Sequence, residues 1–155
     1  MTDLQPLAVL LERNERQRDV AMAEHQRTVT AGQAAAAQAE QLRVYRGEYE
    51  QRWQAHFARD GAIELLRCYQ GFMERLTQAV EHQARVEVHA ALQIERAQLA
   101  LREADMRCAS VRLLIERRTR ERRLADERRD QKLTDEFAAR AAWNRHAAAA
   151  QRRPA

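Results

Sequence analysis

MERLTQAVEHQARVEVHAALQIERAQLALREADMRCASVRLLI, residues 73–115, is the stretch that decides the fold. Within it Met73, Leu76, Val80, Gln83, Glu87, Ala90, Ile94, Ala97, Leu101, Ala104, Cys108, Val111 and Ile115 follow one another at alternating steps of three and four. That alternation keeps a single narrow seam on one side of a helix, and from Ile94 onward every seam position is small or apolar. The positions between are mostly Arg, Glu, Gln and Ala, which leaves the other faces wet. A seam this narrow predicts a coiled coil rather than a helix packed into a broad globular core.

Composition agrees. The 155 residues are 32% charged and 5% aromatic, with four Gly and two Pro, so few residues break helices and few could fill a thick core. The basic residues are all Arg except Lys132, and the net charge is +4. The surplus is local: between Arg107 and Arg129 stand nine Arg against Glu116, Glu121, Asp126 and Glu127. An anionic partner is expected to meet this segment. Cys68 and Cys108 form no C-x-x-C motif, and Cys108 sits on the seam, which suits a reduced thiol in the cytoplasm. Leu7 to Leu11 is too short for a signal-peptide core, and no run spans a membrane, so membrane association is expected only through partners.

At the start, Thr2 with Gln5 offers capping groups and Pro6 fits a first helical turn. A weaker seam follows: Leu7, Leu11, Asn14, Arg18, Ala21, His25, Thr28, Gly32, Ala35, Ala39, Leu42, Arg46, Tyr49 and Trp53. Val9, Leu10, Val20 and Met22 lie beside it and are expected to widen or rotate the face. Gly32 and the Ala34–Ala37 run would permit close helix approach. The break lies at Ala58-Arg59-Asp60-Gly61-Ala62, where Gly61 is expected to take a left-handed, helix-ending backbone and Asp60 favours a turn. Gly47 and Gly71 read as helix-internal. A second helix then runs to the Ala147–Ala150 segment before Pro154.

The predicted fold is therefore all-α: a long antiparallel two-helix coiled-coil hairpin with an overhanging C-terminal helix. It is one domain over 1–155, with helices over about 4–57 and 63–150 and a turn over about 58–62. At 1.5 Å per residue the helices reach on the order of 80 and 125 Å, so residues beyond roughly Arg118 overhang the first helix. The same register sets Leu42 beside Ala79, Tyr45 beside Leu76 and Tyr49 beside Phe72. These six should form an apolar, aromatic-rich strip near the turn, either an interface or a locally wider core. Glu12–Arg16, Glu48–Arg52, Glu81–Arg85, Glu103–Arg107, Glu116–Arg120 and Glu136–Arg140 have the favourable four-residue order, worth about 0.2–0.5 kcal/mol each.

There is no phosphate-binding G-x-x-x-x-G-K-S/T, no H-E-x-x-H and no G-x-S-x-G. His25, His56, His82, His89 and His146 are scattered; His82 and His89 share a face but stand two turns, about 10 Å, apart, too far for one metal. No enzyme activity, cofactor or metal is expected.

Leu42-x-x-Tyr45-Arg46-x-Glu48-Tyr49 before the turn, Tyr69-x-x-Phe72-x-x-x-Leu76 after it, and Glu116-Arg117…Glu127-Arg128…Asp130-Gln131-Lys132-x-x-Asp135-Glu136 together resemble the bacterial flagellar FliJ family. Length, hairpin position and basic C-terminal arm fit as well. The resemblance implies a non-enzymatic part of the flagellar type III protein export apparatus, cytoplasmic and peripheral at the inner-membrane flagellar base. It implies a coiled coil similar to the central stalk subunit of rotary ATPases, bound to the hexameric export ATPase (FliI) and the export gate protein (FlhA), and handling export chaperones. On this reading Leu42, Tyr45, Tyr49, Phe72, Leu76 and Ala79 would contact the gate. Arg117, Arg118, Arg122, Arg123, Arg128 and Arg129 would contact the ATPase, a role their local charge surplus also motivates. Nucleic acid is not expected as a partner. The alternatives are an injectisome stalk protein and an Arg-rich coiled coil that binds nucleic acid, the latter lacking aromatic interleaving for single-strand stacking.

Overall fold

The computed structural model describes residues 4–59 and 61–152. Thr2, Asp60 and Pro154, to which the capping, turn and terminal expectations were attached, lie outside them. Two helices, α1 (Gln5–Phe57) and α2 (Ile63–Gln151), pack against each other, and the described residues contain no strand. The fold is all-α.

The helix ends follow from local backbone bonding. The Ala8 amide donates to the Leu4 carbonyl at 3.0 Å, so Leu4 caps α1 and Pro6 falls in the first turn, where a missing N–H costs nothing. At the other end the Ala58 amide reaches Gln54 at 3.2 Å and the Arg59 amide reaches His56 at 3.0 Å. The last step is three residues instead of four, a 3₁₀ tightening that uses up an otherwise orphaned carbonyl. α2 opens with the Leu66 amide on the Ala62 carbonyl at 3.2 Å, and Glu64 places a carboxylate in its first turn. Gly61 does not take the left-handed backbone expected of it, since no described residue has positive φ. The 3₁₀ turn ends α1, so no glycine-specific conformation is needed there.

The chain divides into two compact units, Arg13–Cys108 and the pair of segments Met1–Glu12 and Ala109–Ala155. In the first unit the two helices run antiparallel: Gly32 meets Ile94, Ala35 meets Gln83, Arg43 meets Glu87 and Tyr49 meets Phe72. Every seam position of α2 from Met73 to Cys108 is buried or half-buried, and so is every seam position of α1 from Asn14 to Trp53. Val20 and Met22 remain exposed, so in this unit the α1 face is neither widened nor rotated. The fully buried seats are mostly small: Ala35, Ala39, Ala97, Ala104 and Cys108, with Leu76 the largest apolar one. A methyl group contributes roughly 0.8 kcal/mol on burial. Cohesion here is therefore spread over many weak seats along the seam.

One buried seat is polar. Gln83 is 7% exposed, and its Nε2 donates to the Ala35 carbonyl at 3.1 Å. A satisfied amide on an apolar seam costs little where it is and a good deal where it would face alanine methyls, so it resists slippage along the helix.

In the second unit Leu4, Leu7 and Leu11 are half-buried, Val111 is buried and Ile115 half-buried. Val9 and Leu10 are exposed, again outside the seam. Beyond Ile115 every described residue of α2 is exposed except Ala142. That arm is held by its own backbone and surface pairs.

Candidate interaction surfaces

Near the turn, α1 carries Tyr45, Tyr49, Trp53 and Phe57 at steps of four, and α2 carries Tyr69 and Phe72. The centre of the cluster is Tyr49, whose ring lies 4.2 Å from Phe72, 5.9 Å from Trp53 and 6.1 Å from Tyr45. Trp53 and Phe57 close on Tyr69 at 5.2 and 5.5 Å. Tilted and edge-on rings at these spacings add attraction beyond area burial.

The six residues expected in the strip are not equivalent. Leu76 is buried on the seam, Leu42, Tyr49, Phe72 and Ala79 are half-buried, and Tyr45 is 46% exposed. The ring pair that the register expectation named, Tyr49 with Phe72, is present. Trp53, Phe57 and Tyr69 join the cluster although the strip as read from the sequence omitted them. For Trp53 and Phe57 the signal was there, in the four-residue spacing after Tyr49. A shallow depression of about 330 Å³, lined by Tyr49, Arg52, Trp53 and His56, marks the exposed flank.

The arm carries the second surface. Arg117 bonds Glu121 at 3.3 Å and Arg123 bonds Glu127 at 3.1 Å, both four-residue pairs in the less favourable order. Among the described residues, Arg118, Arg120, Arg122, Arg128 and Arg129 have no acid within ion-pair distance. The expected Glu116–Arg120 and Glu136–Arg140 pairs do not close, nor does Glu81–Arg85 in the other unit. Glu48–Arg52 and Glu103–Arg107 do, at 3.9 and 3.7 Å. Exposed long side chains gain little from any one such geometry, which is why sequence order alone chose poorly among them.

Other polar groups serve the packing. Arg18 on the α1 seam donates to Asp19 through Nη2 at 2.9 Å and Nε at 3.2 Å, and that bond raises its guanidinium above the ordinary value. Thr28 Oγ1 donates to the His25 carbonyl at 2.8 Å, so a polar seam position is satisfied within its own helix. Cys108 is 1% exposed and Cys68 exposed; both are free thiols. Among the described residues no three His, Cys, Asp or Glu side chains gather as a metal site. Nor, among the described residues, is any helix long and apolar enough to cross a membrane.

A two-helix fold with an aromatic end and an Arg-rich arm offers surfaces for partners, and the comparison with known families decides which kind of protein uses them. The family model described as flagellar FliJ protein matches residues 3–147. The chain belongs to the FliJ family. It is accordingly a component of the flagellar type III export apparatus, and that family is structural rather than enzymatic. No curated protein and no solved structure matches the chain. For a FliJ-family chain, the match runs through both the aromatic cluster and the Arg-rich arm, the two surfaces described above.

Proposed function

We propose that this chain acts as a stalk-like coiled coil linking the hexameric export ATPase to the export gate. The observation that carries the ATPase half is the set of unpaired arginines on an arm with no helix beside it. Of the six arginines expected there, Arg117 and Arg123 are already paired with Glu121 and Glu127. Arg118, Arg122, Arg128 and Arg129 are therefore the ones with charge to offer. A partner's carboxylates meeting them would form charge-assisted hydrogen bonds with little internal competition. The first turns of α1, which share the unit with the arm, would enter with it.

For the gate, Tyr45 is the reachable member of the aromatic cluster, flanked by half-buried Leu42, Tyr49, Phe72 and Ala79. An exposed ring backed by packed rings is a rigid anchor of the kind that dominates interfaces. Export chaperones are proposed as further partners on family membership alone, as is a cytoplasmic site at the flagellar base.

The test replaces Arg118, Arg122 and Arg129 with Glu and measures stimulation of the export ATPase by the full chain. Stimulation is expected to fall while far-ultraviolet circular dichroism stays unchanged. Undiminished stimulation sinks the ATPase assignment.

A further inference from the structure

The three-four rhythm does not stop where the companion helix stops. Val111 and Ile115 are the last two buried or half-buried stations in sequence, and the next steps in phase with them reach Arg118, Arg122, Ala125 and Arg129. After a second successive step of four, from Arg129 to Leu133, the stripe continues through Glu136, Arg140 and Trp143. On a helix of 3.6 residues per turn these stations stay within one narrow stripe over about 37 Å. All are exposed, Leu133 at 53% and Trp143 at 76%, and none of the four arginines has an ion pair. Arg117 and Arg123, the two that are paired, point away from the stripe by their helical phase. The arm thus carries a coiled-coil stripe with arginine at four of its eight stations and one acid, Glu136, and among the described residues no helix lies against it.

We infer that this stripe, from Arg118 to Trp143, is the docking seam for a partner's amphipathic helix with acidic residues at three-four spacing. The helix also carries apolar residues opposite Leu133 and Trp143. Charge complementarity selects this occupant. From Arg118 to Trp143 the arm holds eight basic and six acidic residues, a net charge of +2. A polyanion such as nucleic acid responds to the field summed over all faces, where acids offset most of the cations. A helix laid along the stripe meets four arginines and one acid, whereas the other faces of the same segment carry four basic and five acidic residues. A second copy of this chain does not fit, because its α1 seam carries no acid and its α2 seam up to Ile115 carries only Glu87. Leucine and tryptophan at Leu133 and Trp143 would supply the apolar anchors that charged stations lack.

This inference does not depend on the ATPase assignment, and its test contains no ATPase. The probe is a labelled synthetic helix of about 28 residues, long enough to follow the stripe. It has Glu at the stations facing the arginines and Leu at those facing Leu133 and Trp143. A control peptide of the same composition spreads its Glu and Leu around the helix. Binding to the full chain is read by fluorescence anisotropy. It is read independently by Trp143 emission in a Trp53→Phe background, since the chain has two tryptophans. The patterned peptide is expected to bind at least about tenfold more tightly than the control and to shift Trp143 emission to the blue. Replacing Arg118, Arg122 and Arg129 with Gln should abolish that preference, whereas replacing Arg117, Arg120 and Arg123 with Gln should keep it. All six residues lie on the exposed arm, so helicity should survive in both variants. Equal affinity for the two peptides, no binding of the patterned one, equal loss in both variants, or tighter binding of a mixed-sequence DNA duplex would each overturn the inference.

Discussion

Gly32 on α1 lies directly against Ile94 on α2: a Cβ added at Gly32 would stand 2.6 Å from Ile94 Cδ1 and 3.7 Å from its Cγ1. The isoleucine therefore fills the space that a side chain at residue 32 would need. Only the tip of the isoleucine obstructs a methyl group, and a tip can turn. Gly32→Ala should gain about 0.8–1 kcal/mol of helix propensity and lose about 0.5–1.5 kcal/mol by forcing Ile94 off its rotamer. The net change in chemical denaturation is expected to be small. In an Ile94→Val background, where Cδ1 is gone, the same Gly32→Ala change should stabilise by close to the full propensity gain. Equal effects in both backgrounds would show that the contact does not set the helix spacing.

The Gln83 amide on the Ala35 carbonyl predicts a pH-dependent variant. In Gln83→Glu the protonated acid can still donate to Ala35, while the carboxylate cannot and is buried. Its folded pKa must therefore rise above the unfolded value of roughly 4.3. By linkage, the stability of this variant is fully present below the unfolded pKa and is lost as pH rises through the folded one. Melting temperature should fall between acidic and neutral pH relative to the parent chain. A parallel pair of pH profiles would contradict the buried hydrogen bond.

Tyr45 and Tyr49 are four residues apart and should behave differently. Tyr49 touches Phe72, Trp53 and Tyr45, so Tyr49→Ala is expected to cost roughly 1.5–3 kcal/mol, less than a fully buried aromatic. For a chain of this size that is a fall of roughly 4–10 °C in melting temperature. Tyr45→Ala should change the melting temperature little while weakening binding to the export gate protein. If Tyr45→Ala leaves gate binding intact, the exposed ring is not the anchor.

Arg43 bridges the helices through Nη2 to Glu87 at 3.0 Å and also holds Glu40 at 3.1 Å. Both partners of the bridge are substantially exposed. A double-mutant cycle on Arg43→Ala and Glu87→Ala should give a coupling of about 0.2–1 kcal/mol. That coupling should shrink at high salt, because solvent ions screen exposed pairs. A coupling unaffected by salt would point to packing by the side-chain stems instead of charge.

The thiols report on opening of the hairpin. Cys68 should react with a thiol reagent at the rate of an exposed cysteine, in a single fast phase. Cys108 should react only when the helices separate, so its rate should follow global stability across a denaturant series. Fast modification of both thiols in native buffer would show that the seam opens near Cys108 independently of the rest.

Much of this fold was legible in the residues themselves. The alternation of three and four depends only on the pitch of an α-helix. The seam from Met73 to Cys108, its weaker counterpart through Gly32, Ala35 and Ala39, and the interruption after Phe57 could therefore all be read without coordinates. The Arg-rich segment was legible for the same reason, since composition is local. Tertiary structure decided what those residues meet. It left Val20 and Met22 in solvent, and buried Leu76 while exposing Tyr45. Side-chain rotamers within α2 paired Arg117 with Glu121 and Arg123 with Glu127 and left Arg118, Arg122 and Arg129 without acids. Tertiary structure also gave Gln83 the Ala35 carbonyl and set Ile94 against Gly32. Periodicity fixes which face of a helix turns inward; the partner of each residue on that face depends on the register of a second helix and on side-chain rotamers, which are set by contacts distant in sequence.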